Sequence, residues 1–222
     1  HDAARAPGRQ ALAQRHQLAF APSAQAALHG LRRHPGAPRE ALVLAESSRL
    51  LHAAGEAACV AALFTSSRCF VDAQATLQAL QAHAGEADLI HLACHAQFRS
   101  DNPSFSALHL HDGALSAELA ETLRLRPGMV VLSGCETGLA GGGGGDEMVG
   151  LVRAFLVAGA ARVLASLWPV DDAVTRLFMQ AFYGALRQGR APAEALGSAQ
   201  AAVMRQHPHP FHWAAFALYG GW

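Results

Sequence analysis

Charge is scarce in this sequence, and so are closely spaced cysteines and long apolar runs. Charged residues are 15% of the 222, and 17 Lys+Arg balance 17 Asp+Glu, so the formal net charge is zero. With no block of Lys or Arg there is no long-range field to draw the protein onto a phosphate backbone, and no direct nucleic-acid partner is expected. The longest apolar stretch, residues 154 to 168, is interrupted by Arg162 and is too short to cross a bilayer, so it reads as core rather than membrane. The four cysteines, Cys59, Cys69, Cys94 and Cys135, form neither a dense disulfide scaffold nor a C-x-x-C pair, which favours a reducing, cytoplasmic compartment. There is no initiating Met and no charged-then-apolar leader, so the chain reads as a portion of a longer protein. Residues 1–17 are then the end of a missing upstream region or a linker. No internal repeat is visible.

What is present suffices for one core. Hydrophobic residues are 51% of the chain, and a single domain over residues 18–222 accommodates them. Leu18 to Ala21 reads as a short strand, and Ser23 caps a helix to about Arg33, where Pro35-Gly36 stops it. Ala41 to Ala45 is a compact buried strand, followed by helical recurrence over residues 50 to 63 and 76 to 84. Asp88 to Cys94 is a buried run that ends beside His95, and a polar loop covers Gln97 to Ser104. Residues 115 to 124 read as a helix, and Met129 to Ser133 is the next buried strand, delivering Cys135 to a loop. Asp146 caps a helix from Glu147 to Ala158. A strand over Arg162 to Leu167, helices over 173 to 187 and 192 to 206, and an edge strand over Trp213 to Tyr219 complete the pattern. Strands alternating with helices predict an α/β domain whose mostly parallel central sheet is covered on both faces, with functional loops beyond the carboxyl ends of the strands.

Two residues at such ends carry recognisable chemistry. A cysteine nucleophile must be a thiolate, and a neighbouring imidazole shifts the thiol towards that form. His95 and Cys135 each follow a predicted buried strand, and adjacent strands lie roughly 5 Å apart, so the pair can meet without a local motif. An inert thiol beside an ordinary polar histidine is the other reading. Gly134 and Gly138 reduce bulk around Cys135 and let backbone N–H groups face a developing oxyanion, although a tight structural turn explains the same glycines.

The remaining candidates are weaker. Glycines 141 to 145 make a mobile loop but lack the Lys-Ser/Thr ending of a nucleotide-binding loop. Cys94, His95 and Cys135 lack a fourth zinc ligand, and Leu92, Ala93 and Cys94 between His91 and His95 do not complete a His-Glu-x-x-His motif, so neither metal nor cofactor is expected. His109 and His111 read as loop or edge-strand positions. Asp171 and Asp172 cap the next helix or hold a loop beside the site, where either acid orients His95. Glu136 would oppose thiolate formation if it pointed inward.

Ile90 to His95, Val131 to Gly138 and Ala165 to Asp172, continuing through Phe182-Tyr183 and Trp213 to Phe216, closely resemble the CHAT domain family, which is related to caspases and separases. The resemblance covers roughly residues 18 to 222. It implies a caspase-like three-layer α/β sandwich, frequently attached to upstream tetratricopeptide repeats, with a His-Cys dyad in peptidase members. On that resemblance His95 is the catalytic histidine and Cys135 the nucleophile. Family members commonly carry Gly after the histidine; here it is Ala96, whose methyl narrows the backbone approach to a substrate carbonyl. The function implied is a cysteine endopeptidase acting on a polypeptide, regulated by an upstream or partner module; the alternative is an inactive interaction or signalling scaffold. A basic residue before the cut is expected, with Asp146, Glu147, Asp171 and Asp172 as counter-charges. Ser133, two positions before Cys135, supplies no acid, and neither Arg99 nor Arg162 makes a pocket for an acidic residue evident.

Overall fold

A computed structural model describes residues 11–25, 27–28, 38–48, 50, 52–97, 106–126, 128–134, 146–168 and 170–221, without the side chains of Gln14, Asp146, Glu147, Met148 and Asp172. In chain order the strands are β1 (Glu40–Ala45), β2 (Ser66–Val71), β3 (Leu89–Ala93), β4 (Ala96–Gln97), β5 (Ala107–Leu110), β6 (Gly113–Ser116), β7 (Met129–Ser133), β8 (Arg162–Ser166) and β9 (Phe216–Gly220). The helices are α1 (Leu12–Arg15), α2 (Ala53–Ala61), α3 (Leu77–His83), α4 (Ala117–Glu121), α5 (Asp146–Val157), α6 (Asp172–Arg187), α7 (Pro192–Gln206) and α8 (Pro210–Trp213).

The main sheet has the order β2-β1-β3-β7-β8-β9. Its strands are parallel except β9, which runs antiparallel to β8. Each central strand is apolar on both faces, because each face meets helices. Leu42, Leu44, Ile90, Leu92, Val130 and Leu132 pack with Leu80 of α3 and Phe155 of α5. Val43, Leu89, Val131 and Leu164 point the other way, against Phe178, Phe182 and Tyr183 of α6. This is the three-layer sandwich that continuous apolar strands require. Burying each such Leu or Phe is worth roughly 1.5–3 kcal/mol. No helix among the described residues is long and apolar enough to cross a membrane.

Several elements differ from the sequence expectation. β2, Ser-Ser-Arg-Cys-Phe-Val, was not anticipated; it is an edge strand, half exposed, so it lacks an apolar run. Gln97, expected in a loop, pairs with Ala107 in a small antiparallel sheet of β4, β5 and β6. The helix expected from residue 115 begins at Ala117, because Ser116 closes β6 and its Oγ accepts from Leu119 N–H at 3.1 Å. The strand expected from Leu18 to Ala21 contributes one bridge, Phe20 to Tyr219. The segment from Trp213 divides: Pro210 starts α8, and the strand begins at Phe216. Of the first expected helix, Ser23 to about Arg33, residue 26 and everything from residue 29 lie outside the described residues.

Chain order positions the site. β2 lies on one side of β1 and β3 on the other, so the carboxyl ends of β1 and β3 flank the point where the winding reverses. Open α/β sheets bind ligands at such a point.

Candidate active site at the carboxyl rim of the sheet

β3 and β7 are neighbours in parallel register, Leu89 opposite Met129 and Ala93 opposite Ser133. Both strands therefore leave the sheet at one level, and His95 follows two residues after Ala93. The small sheet holds it there. Its carbonyl accepts from His109 N–H at 2.8 Å, and the two imidazoles lie 5.6 Å apart at a tilt of 31°. His109 Nε2 is 3.1 Å from Gln97 Oε1, which as an acceptor fixes the ring proton on Nε2. Ala96, between them, pairs with Leu108, and its methyl is fully enclosed in the core that contains Leu108 and Leu115.

The exit of β7 packs backbone to backbone on the exit of β3. Gly134 has φ of 105°, and a Cβ there would sit 2.9 Å from the Cys94 carbonyl oxygen and 2.7 Å from Leu50 Cδ2. An L side chain fits neither the dihedral nor the space. Cys135, Glu136, Gly138 and glycines 141–145 lie outside the described residues. Asp146 and Glu147 open α5, and Asp172 opens α6. Asp171 is the N-cap of α6: it is exposed, and its Oδ1 accepts from Ala173 N–H at 2.9 Å.

Two groups near the site, Glu46 and Asp72, escaped the sequence reading, and a third, Ser133, was read there only as supplying no acid. Glu46, 6% exposed, follows β1; its N–H donates to Ala93 O, and its carboxylate accepts from Ser48 Oγ at 2.7 Å and Ser48 N–H at 3.2 Å. Asp72, with φ of 49°, accepts from Ser47 N–H at 2.9 Å and from Ser47 Oγ, and these bonds hold its carboxyl below the usual range. Together they fix the loop after β1 on the rim. Ser133 is 2% exposed, and its Oγ has no hydrogen-bond partner among the described residues. None follows a recognisable motif, because an isolated Glu or Ser at a strand end is ordinary in sequence.

Two neighbours of His95 have other roles. Burial, then the charge of Glu46, pushes the Cys94 thiol up to about 12, so it stays protonated at neutral pH and is a poor nucleophile. His91 is fully buried on the α6 side, with Nδ1 2.8 Å from Tyr183 Oη and Nε2 3.2 Å from Glu56 Oε1. Among the described residues no three His, Cys, Asp or Glu converge as a metal site.

A sheet ordered 2-1-3-7-8-9 with a histidine at the rim of β3 defines the caspase-like fold. Solved structures agree. The Arg-specific cysteine proteinase gingipain R superposes with a TM-score of 0.65 at 12% identity, over 88% of this chain and 50% of that one. Separase in the Saccharomyces cerevisiae separase–securin complex superposes at 0.67 and 14% identity, over 93% of this chain and 14% of that one. At these identities the likeness is one of fold. The chain belongs to the CHAT domain family, whose model matches residues 2–221. It is also similar to tetratricopeptide repeat protein 28 of Mus musculus, 42% identical over 100 residues, and of Homo sapiens, 46% over 77. These alignments cover 44% and 34% of this chain but 4% and 3% of those much longer relatives.

Proposed function

We propose that the domain is a cysteine endopeptidase in which Cys135 is the nucleophile and His95 its proton partner. The observation that carries this reading is the pairing of Ala93 with Ser133. His95 stands two residues beyond one strand and Cys135 two beyond the other, at an interstrand spacing of roughly 5 Å. The contacts of His95 with His109 favour one ring orientation, which proton transfer requires.

In this mechanism His95 takes the Cys135 proton, and the thiolate attacks the carbonyl carbon of the peptide bond. Backbone N–H groups near Gly134 and Gly138 meet the oxyanion. The C–N bond breaks as His95 returns the proton to the departing amine, leaving a thioester. Water then gives a proton to His95 and attacks the thioester; the C–S bond breaks, the acid product leaves and the thiol is restored. A nucleophilic cysteine has to remain reduced, and Cys59, Cys69 and Cys94 are free thiols, which supports a cytoplasmic setting. The tetratricopeptide repeats named in the relatives support an upstream repeat region as the regulatory partner.

The test uses the full-length protein with electrophilic peptides and an unbiased peptide pool. Cys135 should be labelled, and cuts should vanish in Cys135→Ala and fall at least about 100-fold in His95→Ala. A folded protein showing neither labelling nor cleavage is a scaffold.

A further inference from the structure

Three imidazoles crowd the end of α7 and the short helix α8. His207 is the C-cap of α7, His209 is the N-cap of α8 and His212 lies within it. The rings of His207 and His212 are 5.2 Å apart, and those of His209 and His212 are 6.4 Å apart. No carboxylate among the described residues forms an ion pair with any of them. The helix packed against α8 is α7, whose carboxyl half from Ala199 holds Arg205 as its one charged group. Residues 214–218 carry none, and the Asp171 carboxylate, further along the loop that holds Trp168, is taken by Ala173 N–H.

This geometry suits uncharged rings. His209 Nδ1 accepts from Phe211 N–H at 3.2 Å, which requires the lone pair that a proton would take. His212 Nδ1 is sealed from water without a hydrogen-bond partner among the described residues, so a proton there would be a buried, unpaired donor on a charged ring. His207 is the exception: the carboxyl end of α7 favours a cation there, and that cation would face His212. α8 in turn braces the rim. The Trp168 indole N–H donates to Phe211 O at 2.8 Å, the two rings stack at 6.2 Å, and Ser166 Oγ donates to Trp168 O at 2.9 Å. Ser166 closes β8 at the same carboxyl rim to which β3 and β7 lead.

Beyond the peptidase reading and independent of it, we propose that α8 is an acid-released clasp on the loop after β8. A proton on His209 removes the cap of α8, and a proton on His212 leaves a charged N–H buried. Charges on neighbouring rings repel, and no acid on the elements around them offsets the repulsion. Release returns the three rings to water, where they hold protons freely, so the released form binds more protons and gains as pH falls. Each ring that takes up a proton only on release raises the released population about tenfold between about pH 7.5 and 5.5. Release takes Phe211 from Trp168 and frees the loop between Ser166 and Asp171 on the rim that carries His95 and Gly134.

The test incorporates 5-fluorotryptophan into the whole chain and follows the fluorine resonances from about pH 7.5 to 5.5. The Trp168 signal is identified by its loss in Trp168→Phe. It should move to the position of a solvent-exposed indole as pH falls, while far-UV circular dichroism stays unchanged because the sheet and its covering helices remain folded. His209→Asn keeps an N-cap that does not titrate, so it should lower the rise in released population by about tenfold, and adding His212→Gln should lower it further. A Trp168 signal that stays in place, a response undiminished in His209→Asn, or a loss of circular dichroism in step with the shift overturns the clasp. None of these outcomes bears on whether the domain cleaves peptides.

Discussion

Tyr183, His91 and Glu56 form a polar chain inside an otherwise apolar layer. Burial, then the charge of Glu56, holds the Tyr183 hydroxyl well above its ordinary pKa, so it remains a donor. The hydroxyl lies 2.8 Å from His91 Nδ1, and His91 Nε2 lies 3.2 Å from Glu56 Oε1 without the geometry of a hydrogen bond. The Tyr183–His91 bond ties α6 to the strand that leads to His95. Tyr183→Phe keeps the ring packing but leaves Nδ1 buried without its partner, at a cost of about 1–3 kcal/mol. Urea unfolding should show that loss as a lower midpoint with unchanged slope. An unshifted midpoint would mean that the hydroxyl contributes nothing.

At the level of elements, strand and helix ends decide which side chains are available for function. The acidic pair Asp171-Asp172 illustrates this. As a sequence it offers two counter-charges for a basic substrate, yet Asp171 is engaged by the first turn of α6. Asp171→Ala should cost about 1 kcal/mol through loss of the cap, and Asp171→Asn should recover most of it, both read by thermal unfolding. The substrate ranking should be unchanged in either variant; a loss of preference for basic residues in Asp171→Asn would assign the carboxylate to recognition instead. The small sheet works by the same logic. Its two- to four-residue strands pair by register, and the pairing brings His109 to His95.

For the whole molecule, buried acids that stay protonated set the alkaline limit. Cys94 titrates at about 12 in the folded chain, and burial also raises Tyr183 and Tyr219. Unfolded, a Cys titrates near about 8.5 and a Tyr near about 10. Above roughly pH 9 the folded chain therefore holds protons that the unfolded chain has released, and stability must fall as pH rises. The contribution is complete below the unfolded values and is lost towards pH 12. The urea midpoint should drop between about pH 9 and 11 with net proton release on unfolding, and Cys94→Ala should flatten the first part of that drop. A midpoint that climbs over this range contradicts the buried-thiol account.

The sequence by itself determined the central strands, because Leu89 to Ala93, Met129 to Ser133 and Arg162 to Ser166 are too apolar to lie anywhere but between two helical layers. It also determined that His95 and Gly134 follow strand ends, since they come two residues and one residue after such runs. Only the tertiary structure decided which strands are neighbours, because parallel pairing joins residues forty positions apart with no local trace. That pairing sets Ala93 beside Ser133 and the exit of β3 beside Gly134, and it turns Glu46 towards Cys94. The half-exposed β2 and the partnerless Ser133 hydroxyl were invisible for the same reason: burial and hydrogen bonding belong to the space around a residue, and that space is made by other parts of the chain.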